Sequence, residues 1–230
     1  MKTIAIIGAM DEEVALIGKS LDGVQHSHVA SLDINVGTVE AQSGESVTVA
    51  ATVGGMGLVN AAATTQCLVD LYHPDAIVFS GIAGSLNKSM HINDIVLGGT
   101  LRYLDSDMRM IAQWKPQTEE FHSDKHLIEV ASSVLDDMGM HHITGVIASG
   151  NNFIGTPEAA AKVAQQTHAD AVEMEGAAVA HVAARNDVPA LVIRALSDEA
   201  DTDYEVFKEF DVSEYADTAA RLAISIVARL

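Results

Sequence analysis

The chain has 230 residues, 48% hydrophobic and 20% charged, which is enough for one sizeable core and argues against disorder. Its 32 acids against 13 bases give a formal net charge of −19, which repels polyphosphate backbones and anionic headgroups and argues against nucleic acid or membrane surfaces as partners. A single cysteine, Cys67, rules out a disulfide scaffold and favours a reducing compartment; with no basic leader, cleavage pattern or apolar run of transmembrane length, a cytoplasmic protein is expected.

Thr3 to Ile7 is a continuous apolar run that ends at Gly8, the pattern of a buried strand, and feeds an acidic helical segment, Asp11 to Lys19. The segments Val24 to Val29, Ile34 to Val39 and Val47 to Val53, broken by Gly37 and Gly44, alternate like an antiparallel meander. Gly54-Gly55-Met56-Gly57 opens a helix, Leu58 to Tyr72; Pro74 then turns the chain into a buried strand, Ala76 to Ser80, which ends in a glycine loop, Gly81 to Ser85. The region Asp94 to Pro116 reads as less regular. Next come a helix near Asp124 to Met138, a strand Gly145 to Ser149, the loop Gly150 to Ile154, and a helix with Pro157 placed to start it. Ala171 to Glu175 leads into an alanine-rich helix, Ala177 to Arg185; the strand Ala190 to Leu196 ends in Ser197-Asp198, and an amphipathic helix runs from about Val212 to Val227. Strands and helices alternate without repeats or linkers. The expected fold is therefore α/β: a single domain over 1–230, a three-layer α/β/α sandwich around a mixed, mostly parallel twisted sheet.

Ligands in such folds sit beyond the carboxyl ends of the strands. Glu13, the glycines at 81 to 84, Phe153, Glu175 and Asp198 all follow strand runs, which points to one composite pocket. If the lead-in to the alanine-rich helix is extended, Glu173 and Glu175 face one side, Val172 and Met174 the other. A helix beginning near Glu175 favours its ionised form and suits it to accepting hydrogen bonds from hydroxyls, the alternative being a solvated helix start. Three carboxylates can cleave a glycosidic bond: one protonates the leaving group, one orients or deprotonates water, and anions stabilise an oxocarbenium-like sugar. Asp198 would then have to hold a proton although an unperturbed aspartate titrates near about 3.9, which demands burial or nearby negative charge. Arg194, inside the apolar run Leu191 to Ile193, needs a carboxylate partner, Glu175 or Glu173, unless it faces solvent. Phe153 suits stacking on a flat base or folding back onto the core. Metal catalysis is not expected: there is no Ca²⁺ loop, His141 and His142 would point to opposite faces of a strand, and His181 lacks an i+4 partner. Ser149 and Ser197 have no G-x-S-x-G context, and neither glycine loop matches a dinucleotide or P-loop fingerprint.

Five stretches, in this order and spacing, resemble the nucleoside phosphorylase/nucleosidase superfamily, and within it the bacterial 5'-methylthioadenosine/S-adenosylhomocysteine nucleosidases. They are Ile6 to Glu13, Ser80 to Ser85, Ser149 to Ile154, Val172 to Glu175 and Arg194 to Asp198. The resemblance implies that Glu13 acts with the attacking water and that Asp198, beside Ser197, protonates adenine. It implies that Glu175 holds ribose hydroxyls, with Met174 against the sugar, Arg194 nearby and the amides of Ala83 and Gly84 available. Phe153 would stack on adenine and the backbone of Ile154 would read its edge. Met10, Met56 and Phe207 match positions lining an alkylthio pocket, which the stretch matching Met108 to Pro116 of a neighbouring subunit completes, so a homodimer is implied and no cofactor is expected. Two positions depart from the pattern: Ile82 stands where many members have serine, and Asn151 where aspartate is frequent. A purine nucleoside phosphorylase of the same fold shares several of these motifs, but the family's phosphorylases have a Gly-Asp-Pro start and a nearby arginine where this chain has Met10 to Glu13, which would repel phosphate. A nicotinamide-dependent oxidoreductase and a catalytically silent nucleoside-binding protein are the remaining readings.

Overall fold

The structure, a computed structural model, describes residues 2–8, 11–198, 200 and 213–230. Strand β1 (Thr3–Gly8) shows why the sheet is buried on both sides: Ile4 and Ile6 enter one hydrophobic cluster, Ala5 and Ile7 the other, and none of the four is exposed. β1 pairs in parallel with β4 (Ser46–Val53) and β5 (Ala76–Ser85). Beyond β4 the expected meander is present, with β3 (Leu32–Glu40) antiparallel to β4 and β2 (Asp22–Val29) antiparallel to β3. The remaining strands are β6 (Ile95–Tyr103), β7 (His142–Ser149), β8 (Ala171–Glu173) and β9 (Ala190–Asp198).

Among the described residues the nine strands run in the order β2-β3-β4-β1-β5-β8-β7-β6-β9, and β9 returns to pair with β5. Five strands, β5, β8, β7, β6 and β9, therefore close into a ring while the other four continue as an open sheet. Five pairings are parallel and four antiparallel, so the sheet is mixed with a narrow parallel majority.

Helices cover both faces, as the sandwich requires. α1 (Asp11–Lys19), α4 (Lys125–Asp137) and α7 (Ser213–Val227) pack on the Ile4 side; α2 (Leu58–Tyr72) and α6 (Gly176–Arg185) pack on the Ala5 side. α5 (Pro157–Thr167) closes a third cluster through Val163 against Ala148 and Val172, and α3 (Met108–Ile111) is a single turn. Their starts follow local rules: Asp124 accepts from Leu127 N at 3.1 Å ahead of α4, and Thr156 from Ala159 N at 3.2 Å ahead of α5, where Pro157 has no N–H to orphan.

Two expectations are corrected here. The region from Asp94 to Pro116 contains a full strand, β6, which crosses its glycine pair with a register shift between Gly98 and Thr100. The stretch 81 to 85 is the second half of β5, pairing with β9 on one side and β8 on the other, and not a loop. Gly84 permits this closeness: a Cβ there would lie 2.9 Å from Ala200 Cβ and 3.1 Å from Asp198 Oδ1.

Candidate active site

β5 is the rail on which the acids are mounted. Its register places Gly81 opposite Arg194 and Gly84 opposite Asp198 on β9, while Gly84 faces Val172 on β8, the residue before Glu173. Ser149, the last residue of β7, lies opposite Glu173. Motifs more than a hundred residues apart in the chain thus meet at one end of the strand ring.

The buried centre of this arrangement is Glu173. Its Oε2 accepts from Arg194 Nη2 at 2.6 Å and Nε at 3.1 Å, from Gly176 N at 2.7 Å and from Glu175 N at 3.1 Å, while Oε1 accepts a short bond from Ser149 Oγ. Arg194 is buried as fully as its partner, with its guanidinium 4.0 Å from the centre of the Phe79 ring. Of the two carboxylates the sequence offered to Arg194, the structure selects Glu173.

Glu175 is placed differently from the expectation of an anion favoured by its helix. The N–H groups of residues 175 and 176 are turned toward Glu173, and Glu175 makes no side-chain cap of α6. Its Oε1 instead accepts from Gly57 N at 2.8 Å, across the molecule at the head of α2. Burial, and next the charge of Glu173, push the Glu175 carboxyl up to about 7; Arg194 and the N–H groups of Gly57 and Met174 oppose that rise. Glu175 can therefore change charge around neutral pH.

Glu13 is fully buried at the head of α1, its Cδ 3.3 Å from where a Cβ on Gly8 would stand. Tyr215 of α7 reaches β5: its hydroxyl donates a short bond to Gly81 O and lies 3.4 Å from Ser80 Oγ. Burial first, and then the charge of Glu13, hold the Tyr215 hydroxyl above the ordinary phenol range, with Arg194 acting the other way. Glu13, Tyr215, Arg194, Glu173 and Glu175 thus form one electrostatic neighbourhood.

Asp198 accepts from Ser197 Oγ at 2.7 Å on Oδ2 and from Ala200 N at 2.7 Å on Oδ1. Ser197 Oγ also lies 3.3 Å from Ala83 O. Turned that way, the hydroxyl accepts from a protonated Asp198 instead of donating to the carboxylate, so one rotation serves either charge state.

Among the other expected site residues, Phe153, Ile154 and Met174 are half-buried, Ile154 against the α5 cluster, and Met108 packs on the α6 side. Met56 is 65% exposed. No described hydrogen bond or ion pair links Met56, Met108 or Ile154 to the acids, and Met10 and Phe207 lie outside the described residues. Asn151 Oδ1 accepts from Leu58 N at 3.2 Å at the start of α2. Ile82 is half-buried against the core face that carries α1 and α7. A cavity of about 520 Å³ opens between α1, α2 and the starts of β3, lined by Asp11, Asp33, Thr52, Gly55, Asn60 and Cys67 among others, and does not include Glu13, Glu175 or Asp198. His181 is used structurally, stacked on Phe121 with centroids 4.4 Å apart and 3.2 Å from the Tyr103 hydroxyl.

Glu173, Ser149, Gly57 and Tyr215 are the members that a reading of motifs underrates. Ser149 and Glu173 lie in stretches that carry the family resemblance, and for Glu173 the need of Arg194 for a carboxylate partner was the available signal. Gly57 and Tyr215 act through tertiary contacts that leave no local pattern.

The model of the phosphorylase superfamily matches residues 3–230 of the chain. A 5'-methylthioadenosine/S-adenosylhomocysteine nucleosidase of Staphylococcus saprophyticus is 35% identical over 215 residues, 90% of this chain and 92% of that protein. The structure of a 5'-methylthioadenosine/S-adenosylhomocysteine nucleosidase from Neisseria meningitidis, in complex with methylthio-immucillin-A, superposes over the whole of both chains with a TM-score of 0.89 at 30% identity. Futalosine hydrolase of Helicobacter pylori superposes over all of this chain and 98% of its own with a TM-score of 0.86 at 29% identity.

Proposed function

Since the chain belongs to the phosphorylase superfamily, we propose that it is an N-glycosyl hydrolase that releases adenine from 5'-methylthioadenosine and S-adenosylhomocysteine, with 5'-deoxyadenosine and aminofutalosine as further substrates. The observation that carries hydrolysis over phosphorolysis is the charge at the head of α1. Asp11, Glu12 and Glu13 occupy its first turn, and Arg194, the buried cation of the neighbourhood, is already neutralised by Glu173 at 2.6 Å. Phosphate would meet repulsion from these acids, and Arg194 is already spent on Glu173.

In the reaction, Asp198 gives a proton to a ring nitrogen of adenine as the bond from the sugar to the base breaks. Water adds to the sugar carbon and gives its proton to Glu13, while Glu175 accepts hydrogen bonds from ribose hydroxyls. Ser197 accommodates Asp198 before and after the transfer, and Met174, Phe153, Ile154, Ala83 and Gly84 hold sugar and base. Residues 1–230 work as one nucleosidase domain, without a metal or other cofactor. The subunits pair as a homodimer, a reading supported by Met110 and Trp114, 61% and 75% exposed in the stretch assigned to completing a neighbour's pocket. No helix among the described residues is long and apolar enough to cross a membrane; the acidic charge and single cysteine support work in the cytoplasm, in methionine salvage.

Adenine release from 5'-methylthioadenosine in phosphate-free buffer tests this. Release that proceeds without phosphate and is not accelerated by adding it is the expected result. Dependence on phosphate, with a sugar phosphate as product, would make the chain a phosphorylase, and nucleoside binding without release would leave it a binding protein.

A further inference from the structure

We propose that Glu173 is a positioning residue for the reaction: held by Arg194, Ser149 and the start of α6, it fixes where Glu175 meets the ribose. The inference rests on the reading of Glu175 as the ribose ligand and concerns a carboxylate to which the reaction assigns no proton and no substrate atom.

The geometry runs through the backbone. Glu173 takes the N–H of Glu175 at 3.1 Å and of Gly176 at 2.7 Å, and the carbonyl of Glu175 accepts from Ala178 N at 2.9 Å, so residue 175 is pinned on both sides. Ser149 tightens the same turn, since its Oγ donates to Glu173 and accepts from Ala177 N at 2.8 Å. With its own N–H groups spent this way, α6 makes no demand on the Glu175 side chain, which is left to reach Gly57 at the head of α2. A Cβ on Gly176 would lie 3.2 Å from Glu173 Oε2 and 3.0 Å from Val192 Cγ1, so a side chain there would crowd both Glu173 and β9.

Glu173 also acts on Glu175 electrostatically. Among the described residues, the charged groups acting on Glu175 are Glu173 and Arg194, and the N–H groups of Gly57 and Met174 also face it. Arg194 donates two bonds to Glu173 and one, at 2.8 Å, to Ile193 O. If the charge of Glu173 is removed, Glu175, whose carboxyl already feels Arg194, becomes a carboxylate this buried cation can turn to, and an Arg194–Glu175 pair would draw Glu175 out of its place and hold it ionised. Glu173 therefore both aims Glu175 and keeps Arg194 from capturing it.

The test is the pH dependence of kcat/KM for 5'-methylthioadenosine in wild type, Glu173→Gln, Ser149→Ala and Glu175→Gln, with thermal unfolding measured in parallel. Wild type should show a limb rising through about 7, and Glu175→Gln should lack it; absence of the limb in wild type, or its survival in Glu175→Gln, would overturn the reading of Glu175 itself. Granted that limb, Glu173→Gln should move it down by about one pH unit or more and raise KM by roughly tenfold or more, the scale of a hydrogen bond to a charged group, with a smaller fall in kcat. A merely structural role would lower the melting temperature with the limb unmoved, and that result overturns the proposal. Ser149→Ala keeps both charges buried and serves where Glu173→Gln does not fold: it should raise KM several-fold with the limb in place, and an unchanged KM also overturns the proposal.

Discussion

Glu175 combines two demands that oppose each other, because the burial and the neighbouring charge that hold it in place also disfavour its ionised form. An acid whose folded pKa lies above its unfolded value binds its proton more tightly in the folded state. Stability is therefore greatest below the unfolded value of 4.5, falls as pH rises toward about 7, and changes no further above it, by at most about 3 kcal/mol for this group. Urea midpoints for wild type should drop between pH 5 and pH 8, and Glu175→Gln should flatten that part of the curve. Asp198→Asn and Glu13→Gln are isosteric replacements of groups that exchange protons in the proposed reaction, so each should lose at least about 100-fold in kcat. Circular dichroism spectra of both variants should be unchanged; turnover within a few-fold of wild type would remove the role assigned to that residue.

At the scale of elements, the head of α2 is tied to the site by two long-range bonds, Gly57 N to Glu175 and Leu58 N to Asn151. Gly57 has φ 94°, a backbone region that disfavours any side chain, so Gly57→Ala should destabilise by about 1–2 kcal/mol in chemical denaturation. Asn151→Ala should cost about 1 kcal/mol by leaving an orphan N–H at the same helix end. Here the limits of sequence reading are visible. The continuous apolar runs of β1 and β9 and the alternation of the meander were legible because a strand's periodicity is written in its own residues. β6 was not, because Gly98 and Gly99 interrupt it; they are there for close approach, since a Cβ on Gly98 would lie 2.9 Å from Leu101 Cδ1 and one on Gly99 2.7 Å from Thr144 Cγ2. β8, three residues long, is too short to show a period. The acids of the site could be read from their positions after strands, but the choice of Glu173 over Glu175 by Arg194, and of α2 by Asn151, is made by contacts between distant segments.

For the whole molecule, the proposed homodimer would cover Met110 and Trp114, which are exposed in the single chain. Trp114→Glu should shift wild-type dimers toward monomers in sedimentation velocity and lower kcat/KM about tenfold or more through the incomplete pocket; a wild type that sediments as a monomer with full turnover would remove the homodimer from the reading. The ring of strands around β5 has a further effect. A ladder in an open sheet can slip by one residue at the expense of one seam, whereas in a closed hoop a slip at any seam must be matched at all the others. The separation between Asp198 on β9 and Glu173 at the end of β8 is thereby locked by circumference, as the stave spacing of a cask is locked by its band. The outermost strand of the open part of the described sheet is then β2, mostly solvent-facing, kinked between Asp22 and Gln25, and poorly suited to recruiting a foreign strand.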